Sequence, residues 1–499
     1  MTLAVVHTRA SLGIQAPLVR VEVHLSKGLP GLTLVGMPAV AVRESKDRVR
    51  SALINAGFEF PLYRITVNLS PADLPKEGGR YDLPIALGIL AASEQIPATA
   101  FDRHEILGEL ALTGEIRPVL GILPAALACQ QAQKTLCLPV DNFAEAHLST
   151  CELAPAQHLS QLAAYFSGQA LPPAPPAPQP ETLAYPDLQD VYGQHQARRA
   201  LEVAAAGQHN LLLCGPPGTG KTLLAARLPG LLPPLTQAQA LEVAALASIS
   251  GRFDAQTWQQ RPFRAPHHTS SAAALAGGGS NPRPGEISLA HQGVLFLDEL
   301  AEFDRKTLEV LREPLESGVM HIARAARQVS YPANFLLVAA MNPCPCGYLG
   351  HPQKRCRCSP RQIRQYHSRL SAPLLDRIDL HIEVPALPAQ ALRPQAQPPE
   401  SSAQVSARVQ AAYQRQLRRQ GCANAALGIQ ALSTHAPLTP ALMDLLESAM
   451  QRLGLSARAY HRLIKLARTL ADLEASDTIE RKHLLEALGY RQLDKYFSA

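Results

Sequence analysis

The sequence predicts a multidomain α/β protein: an N-terminal block of mixed strands and helices, a central α/β block around a glycine loop, and a helical C-terminal block. Three observations lead there. At 499 residues the chain is too long for one hydrophobic core. Two proline-rich stretches, 171–186 and 385–399, divide it. Residues 210–228 pass from an apolar strand through a glycine loop into a helix, the order found in parallel-sheet cores.

In the N-terminal block, strand-like runs (Val19–Leu25, Leu32–Val35, Arg64–Leu69) mix with helical ones (Val42–Ala56, Leu83–Ala92, Ile122–Gln133), an α+β or α/β pattern. In the C-terminal block, apolar residues recur at helical spacing over Pro440–Leu453, Ala459–Leu473 and Ile479–Leu488. Ser456 and Asp477 are candidate caps for the last two. The expected domains are 1–168, 187–385 and 403–499, joined by linkers 169–186 and 386–402. A composition of 46% hydrophobic and 18% charged residues is that of a globular protein. The net charge of +6 permits a polyanionic partner without demanding one. Met1–Ala10 lacks the basic flank and apolar core of a signal peptide, and no run approaches 18 apolar residues. Nine cysteines, an odd number, argue against a disulfide framework. A cytoplasmic protein without membrane attachment is expected.

The run Asn210–Cys214 reads as a buried strand, and Gly215, Pro216, Pro217, Gly218, Thr219, Gly220, Lys221 and Thr222 follow it directly. This is a P-loop in its required setting. Its backbone N–H groups turn toward phosphates, Lys221 neutralises them, and the Thr222 hydroxyl ligates Mg²⁺. The apolar run Gly293–Leu297 ends in Asp298 and Glu299. An isolated acidic pair there is usually a solvated strand end. Beside a P-loop, Asp298 can hold Mg²⁺ and Glu299 can polarise the attacking water. A third apolar run, Phe335–Met341, ends in Asn342, which can position that water or be an ordinary turn residue before Pro343. The expected activity is ATP hydrolysis.

Leu374-Leu-Asp-Arg377-Ile-Asp379 makes the pattern specific. Together the motifs resemble AAA+ ATPases of the magnesium-chelatase-like group, relatives of the minichromosome maintenance helicases. The resemblance implies that Arg377 is an arginine finger reaching a neighbour's ATP. It also likens Ser456–Arg462 to the second sensor, with Arg458 as phosphate contact; Arg458 pairing along its own helix is the alternative. A finger supplied in trans implies a closed homo-oligomeric ring, a hexamer in the family's pattern.

Two insertions lie inside the central block. Arg261–Ser271, followed by Gly277–Ser280, contains His267 and His268, which lack matching ligands for a metal and suit a pore or loop role. His321–Tyr331 reads as a basic hairpin, and in the related helicases hairpins at these places grip nucleic acid. Arg324 and Arg327 are candidate DNA contacts, with a solvated hairpin as the alternative. Cys344, Cys346, Cys356 and Cys358 form two Cys-x-Cys pairs suited to an all-cysteine Zn²⁺ site. Unligated thiols and a redox pair are the competing readings. Lys354 and Arg355 make this knuckle basic and are further candidate DNA contacts.

Residues Val19 to Leu148 resemble the Lon-protease-like fold that begins members of the ComM/YifB family. Pro75–Arg80 matches the Lon stretch carrying the catalytic serine, but Arg80 stands in the serine's place, and Gly121–Ala126 offers no lysine base. Without both partners no Ser-Lys dyad exists, so no peptidase activity is expected. The resemblance to the ComM/YifB family runs nearly end to end. It implies a DNA helicase of branch migration, acting on single-stranded and branched DNA beside recombination proteins in natural transformation. A chelatase-type remodelling ATPase is the second reading and an ATP-dependent protease the third.

Overall fold

The computed structural model describes residues 2–36, 39, 42, 44–178, 181, 185–279, 282–324, 327–388 and 399–491. Most of the expected linker 386–402, and parts of 169–186, therefore lie outside the described residues. The chain forms two compact units, Met1–Thr182 with Gln237–Gln259, and Leu183–Thr236 with Gln260–Ala499.

The first unit mixes strands and helices. Its main sheet runs in the order Thr2–Arg9, Leu18–Ser26, Arg64–Ser70, Gly31–Val35, antiparallel except for the parallel last pair. Val19, Val21, Val23 and Leu25 alternate into the core, the period-2 pattern that makes this stretch a strand. Helix Asp82–Ala92 is buried along its whole length. Gly88 permits its close approach to the sheet, since a Cβ there would come 2.6 Å from Val23 Cγ2. A parallel sheet of His104–Ile106, Thr135–Pro139 and Glu152–Ala156 and a short antiparallel pair, Glu109–Leu110 with Ile116–Arg117, accompany it. Arg9 joins the two sheets through a buried two-pronged bond to Glu105, at 2.6 and 2.7 Å.

Arg80 is buried, and its guanidinium donates to the carbonyls of Arg9 and Leu120. Arg80, expected to stand in the serine's place, is thus a tie between backbone segments. Helix Gln237–Ser250 also belongs to this unit, burying Ala240, Ala244, Ala245, Leu246 and Ser248. Ser248 O accepts from Gly121 N at 3.3 Å. The sequence predicts one core over 187–385; 237–259 departs from it and joins the N-terminal unit.

The second unit is built on a five-stranded, wholly parallel sheet: Phe263–Arg264, Val294–Leu297, Leu336–Met341, Leu211–Cys214, Leu380–Glu383. The three central strands are buried throughout, which is why they read as continuous apolar runs. Helices Ser402–Gln420, Pro440–Leu453, Ala457–Leu473 and Arg481–Gly489 follow. Ser456 caps its helix as expected, accepting from Ala459 N at 3.3 Å. Asp477 does not cap the last helix: Glu480 holds that place, and Asp477 O instead accepts from Arg468. The expected hairpin is Val319–Arg324 paired with Arg327–Pro332.

Candidate nucleotide site and cysteine cluster

Register decides which side chains meet. Cys214 lies opposite Met341, and Leu297 opposite Ala339, so three strands end at one edge of the sheet. Gly215, Asp298 and Asn342 follow those ends. Gly215 must be glycine, because a Cβ there would stand 2.1 Å from the Val384 carbonyl oxygen. Gly218 and Gly220 turn the loop with φ of +78° and +88°. Gln194, which sequence reasoning passed over, steadies the loop by donating to Thr219 O at 3.3 Å and Pro385 O at 2.8 Å.

Lys221 is buried, its ammonium donating to Gly215 O (2.7 Å), Pro216 O (2.9 Å) and Asn342 Oδ1 (3.2 Å). Burial lowers its pKa, and Asp298 works in the opposite direction. Thr222 Oγ1 donates to Asp298 Oδ2 at 2.8 Å, so the two expected Mg²⁺ ligands are already together. Asp298 Oδ1 accepts from Glu299 N at 2.9 Å. Glu299 takes a left-handed φ of +52° and presents its carboxylate to His268 Nδ1 at 3.0 Å. His268, expected in a pore or loop role, therefore touches the expected base. The group can hold a triphosphate, its metal and a water.

Arg377 lies at the other edge. It precedes the strand beginning at Leu380, which pairs with Leu211 at the start of the P-loop strand. Four residues of strand, roughly 13 Å, separate that edge from the loop. Arg377 donates to Glu316 and to Pro373 O (2.6 Å), and Asn210 Nδ2 holds its carbonyl at 3.0 Å. Burial lowers the Arg377 pKa, and the positive charges of Arg458, Arg312 and Arg462 add to the effect. Arg458 is exposed on the helix whose cap, Ser456, meets Asp376 at 3.4 Å. The expected finger, Arg377, and the expected phosphate contact, Arg458, are thus both on the edge opposite Lys221. Arg462 anchors this edge through Asp379 and through Arg377 O at 3.1 Å. Burial pushes the Asp379 carboxyl up, but Arg462 and His209 outweigh it and hold the group well below the usual carboxylate range.

The four expected cysteines converge. All four Sγ atoms lie within 4.8 Å of one another, with Cys344–Cys346 at 3.4 Å and Cys356 at 3.6 Å from both. A tetrahedron with Zn–S of about 2.3 Å has edges of about 3.8 Å, so the cluster fits that ion. Backbone N–H groups of Arg357 and Tyr348 bring the Cys346 thiol down to about 6, while burial pushes those of Cys344 and Cys358 up. Lys354 stands over the Tyr348 ring at 4.9 Å, a cation–π contact. Arg324 and Arg327 face each other at the hairpin end. Their side chains, with residues 325–326, lie outside the described residues.

Comparison with known proteins decides the family. Residues 187–392 match the model "Magnesium chelatase, subunit ChlI", 21–142 match "Subunit ChlI of Mg-chelatase", and 399–491 match its C-terminal model. The chain is 51% identical to the YifB protein of Salmonella typhimurium and to competence protein ComM of Haemophilus influenzae, covering 99% of this chain and 98% of each relative. It belongs to the ComM/YifB family of magnesium-chelatase-like proteins. A more distant likeness, 28% over 194 residues, reaches the magnesium-chelatase 67 kDa subunit of Heliobacterium mobile. Members of the ComM/YifB family at this identity share the whole chain, so the cysteine cluster and the N-terminal unit both fall within the matched length. Among the described residues no helix is long and apolar enough to cross a membrane.

Proposed function

We propose that this protein is an ATP-driven DNA motor that works as a closed homo-oligomeric ring, a hexamer, and promotes branch migration when transforming DNA is recombined. One observation carries the reading: Lys221, Asp298, Glu299 and Asn342 share one edge of the sheet, while Arg377 and Arg458 share the other. A site divided in this way is completed by a second copy. Lys221 binds the β- and γ-phosphates, Thr222 and Asp298 hold Mg²⁺, Glu299 takes the water's proton, and Asn342 orients that water. The metal, when bound, neutralises charge developing on the phosphate oxygens.

The likeness to competence protein ComM of Haemophilus influenzae along 99% of this chain supports DNA as the partner. Arg324, Arg327, Lys354 and Arg355 are its proposed backbone contacts, and single-stranded and branched DNA its proposed forms. Zn²⁺ in the cysteine cluster, a Lon-protease-like fold without the dyad for the N-terminal unit, a lid role for the C-terminal helices and a cytoplasmic setting complete the reading. A chelatase-type remodelling ATPase is the second reading, favoured by the three family models.

ATPase rate measured with and without single-stranded and branched DNA, together with strand displacement, separates the two. Stimulation and displacement that vanish in Lys221→Ala support the motor. Hydrolysis indifferent to DNA, with no displacement, sinks it in favour of remodelling.

A further inference from the structure

The cysteine cluster is joined to the nucleotide site at both of its ends. Cys344 comes two residues after Asn342, whose Oδ1 lies 3.2 Å from Lys221 Nζ. At the far end, Cys358 is followed by Ser359, which caps helix Pro360–His367 in a reciprocal box with Gln362. That helix carries the chain back to where it left. The buried Tyr366 hydroxyl meets the backbone N–H of Asn342, and His367 Nε2 lies 3.0 Å from Pro343 O. The loop also touches the phosphate loop midway. Gly347 has φ of +79°, and a Cβ on it would come 2.7 Å from Pro217 Cδ, so its backbone packs directly on the Pro217 ring. Residues of both loops also line a cavity of about 230 Å³, among them Gly215, Pro216, Pro343, Leu349, Pro352 and His367.

We propose that the cluster is a positioning element for hydrolysis: a metal held by Cys344, Cys346, Cys356 and Cys358 closes the 343–359 loop, and the closed loop, through Tyr366, His367 and Gly347, fixes Asn342 beside Lys221. This rests on the zinc and ATPase readings above. Apart from the four sulfurs, the loop contributes largely polar, proline and glycine residues, too few apolar groups to order it unaided. Releasing the metal frees both ends together. Asn342 loses its fixed direction while the P-loop, held by the sheet and Gln194, keeps its own. Metal loss therefore lowers turnover more than it lowers nucleotide affinity. Tyr366 and His367 are positioning residues, acting through Asn342.

The test uses the full chain. Zinc content is read by elemental analysis, turnover by steady-state ATPase, and affinity by a fluorescent ATP analogue. The wild type holds one zinc per chain. Cys358→Ser loses it, and kcat falls about tenfold with analogue affinity within about twofold. Tyr366→Phe keeps the zinc and the ring packing but loses the hydroxyl; its kcat falls about fivefold at unchanged affinity. No hydrolysis by the wild type removes the ATPase reading, and absence of zinc from it removes the zinc reading. Zinc in the wild type with full kcat in both variants overturns the coupling alone. Should Cys358→Ser fail to fold, Tyr366→Phe decides: full kcat overturns the coupling, and reduced kcat with zinc retained supports it.

Discussion

Lys221 and Asn342 meet across 121 residues of sequence, ammonium to amide oxygen at 3.2 Å. The amide is therefore directed at the group proposed to bind the terminal phosphate. Asn342→Ala should lower kcat about 100-fold while sparing ATP affinity. Lys221→Ala should abolish binding itself. Analogue binding beside turnover distinguishes them, and equal loss of affinity in both would show that Asn342 serves only the loop.

The Thr222–Asp298 bond predicts a shared metal. Asp298→Asn should raise the Mg²⁺ concentration needed for half-maximal hydrolysis about tenfold or more. A magnesium titration of the ATPase rate checks this, with an unshifted curve counting against the assignment.

The division of the site predicts complementation. Glu299→Gln and Arg377→Ala should each be inactive alone. When they are mixed in equal amounts under exchange, about a quarter of the interfaces pair an intact Glu299 with an intact Arg377. Activity should return to about that fraction. Absence of recovery in a mixture shown to co-assemble would argue for a complete site within one chain.

Asp379 and Arg462 predict a stability effect with a definite sign. The folded-state pKa of Asp379 is depressed, so its contribution is complete above the ordinary carboxylate range and lost as pH falls below it. Arg462→Ala strands a buried carboxylate and should cost about 3 kcal/mol at neutral pH. The denaturant midpoint should fall at unchanged slope, and the deficit should shrink in acid as Asp379 protonates.

Helix Gln237–Ser250 predicts a change far from its neighbours in sequence. Ala244, 1% exposed, belongs to the N-terminal unit. Ala244→Glu should unfold that unit at lower temperature by burying an unpaired charge, with the P-loop's nucleotide affinity retained. Protection of amides in 83–131 by hydrogen exchange is the readout.

Local chemistry was legible in the sequence and long-range pairing was not. The P-loop, the acidic pair and the four cysteines are short patterns whose residue types and spacing state their chemistry. Strands 211–214, 294–297 and 336–341 were visible because burial on both faces demands unbroken apolar runs. Strands such as His104–Ile106 are too short to show a period. That Arg458 lies with Arg377, that His268 reaches Glu299, and that Tyr366 returns to Asn342 depend on which elements become neighbours in space. The same holds for Gln237–Gln259, whose helical spacing is evident but whose partner is not. Asp477 failed as a cap because Glu480 and His483 form a reciprocal box one turn later.

The passage of Gln237–Gln259 into the N-terminal unit has a consequence for how this chain can be cut. The proline-rich linker is the natural place for a protease to nick. Yet a cleavage there leaves one fragment holding the other's helix in its core, as a strap threaded through a buckle. The two pieces should co-purify after cleavage and part only when the helix melts. A gene truncated at the linker would yield an N-terminal fragment with an open groove in place of an independent domain.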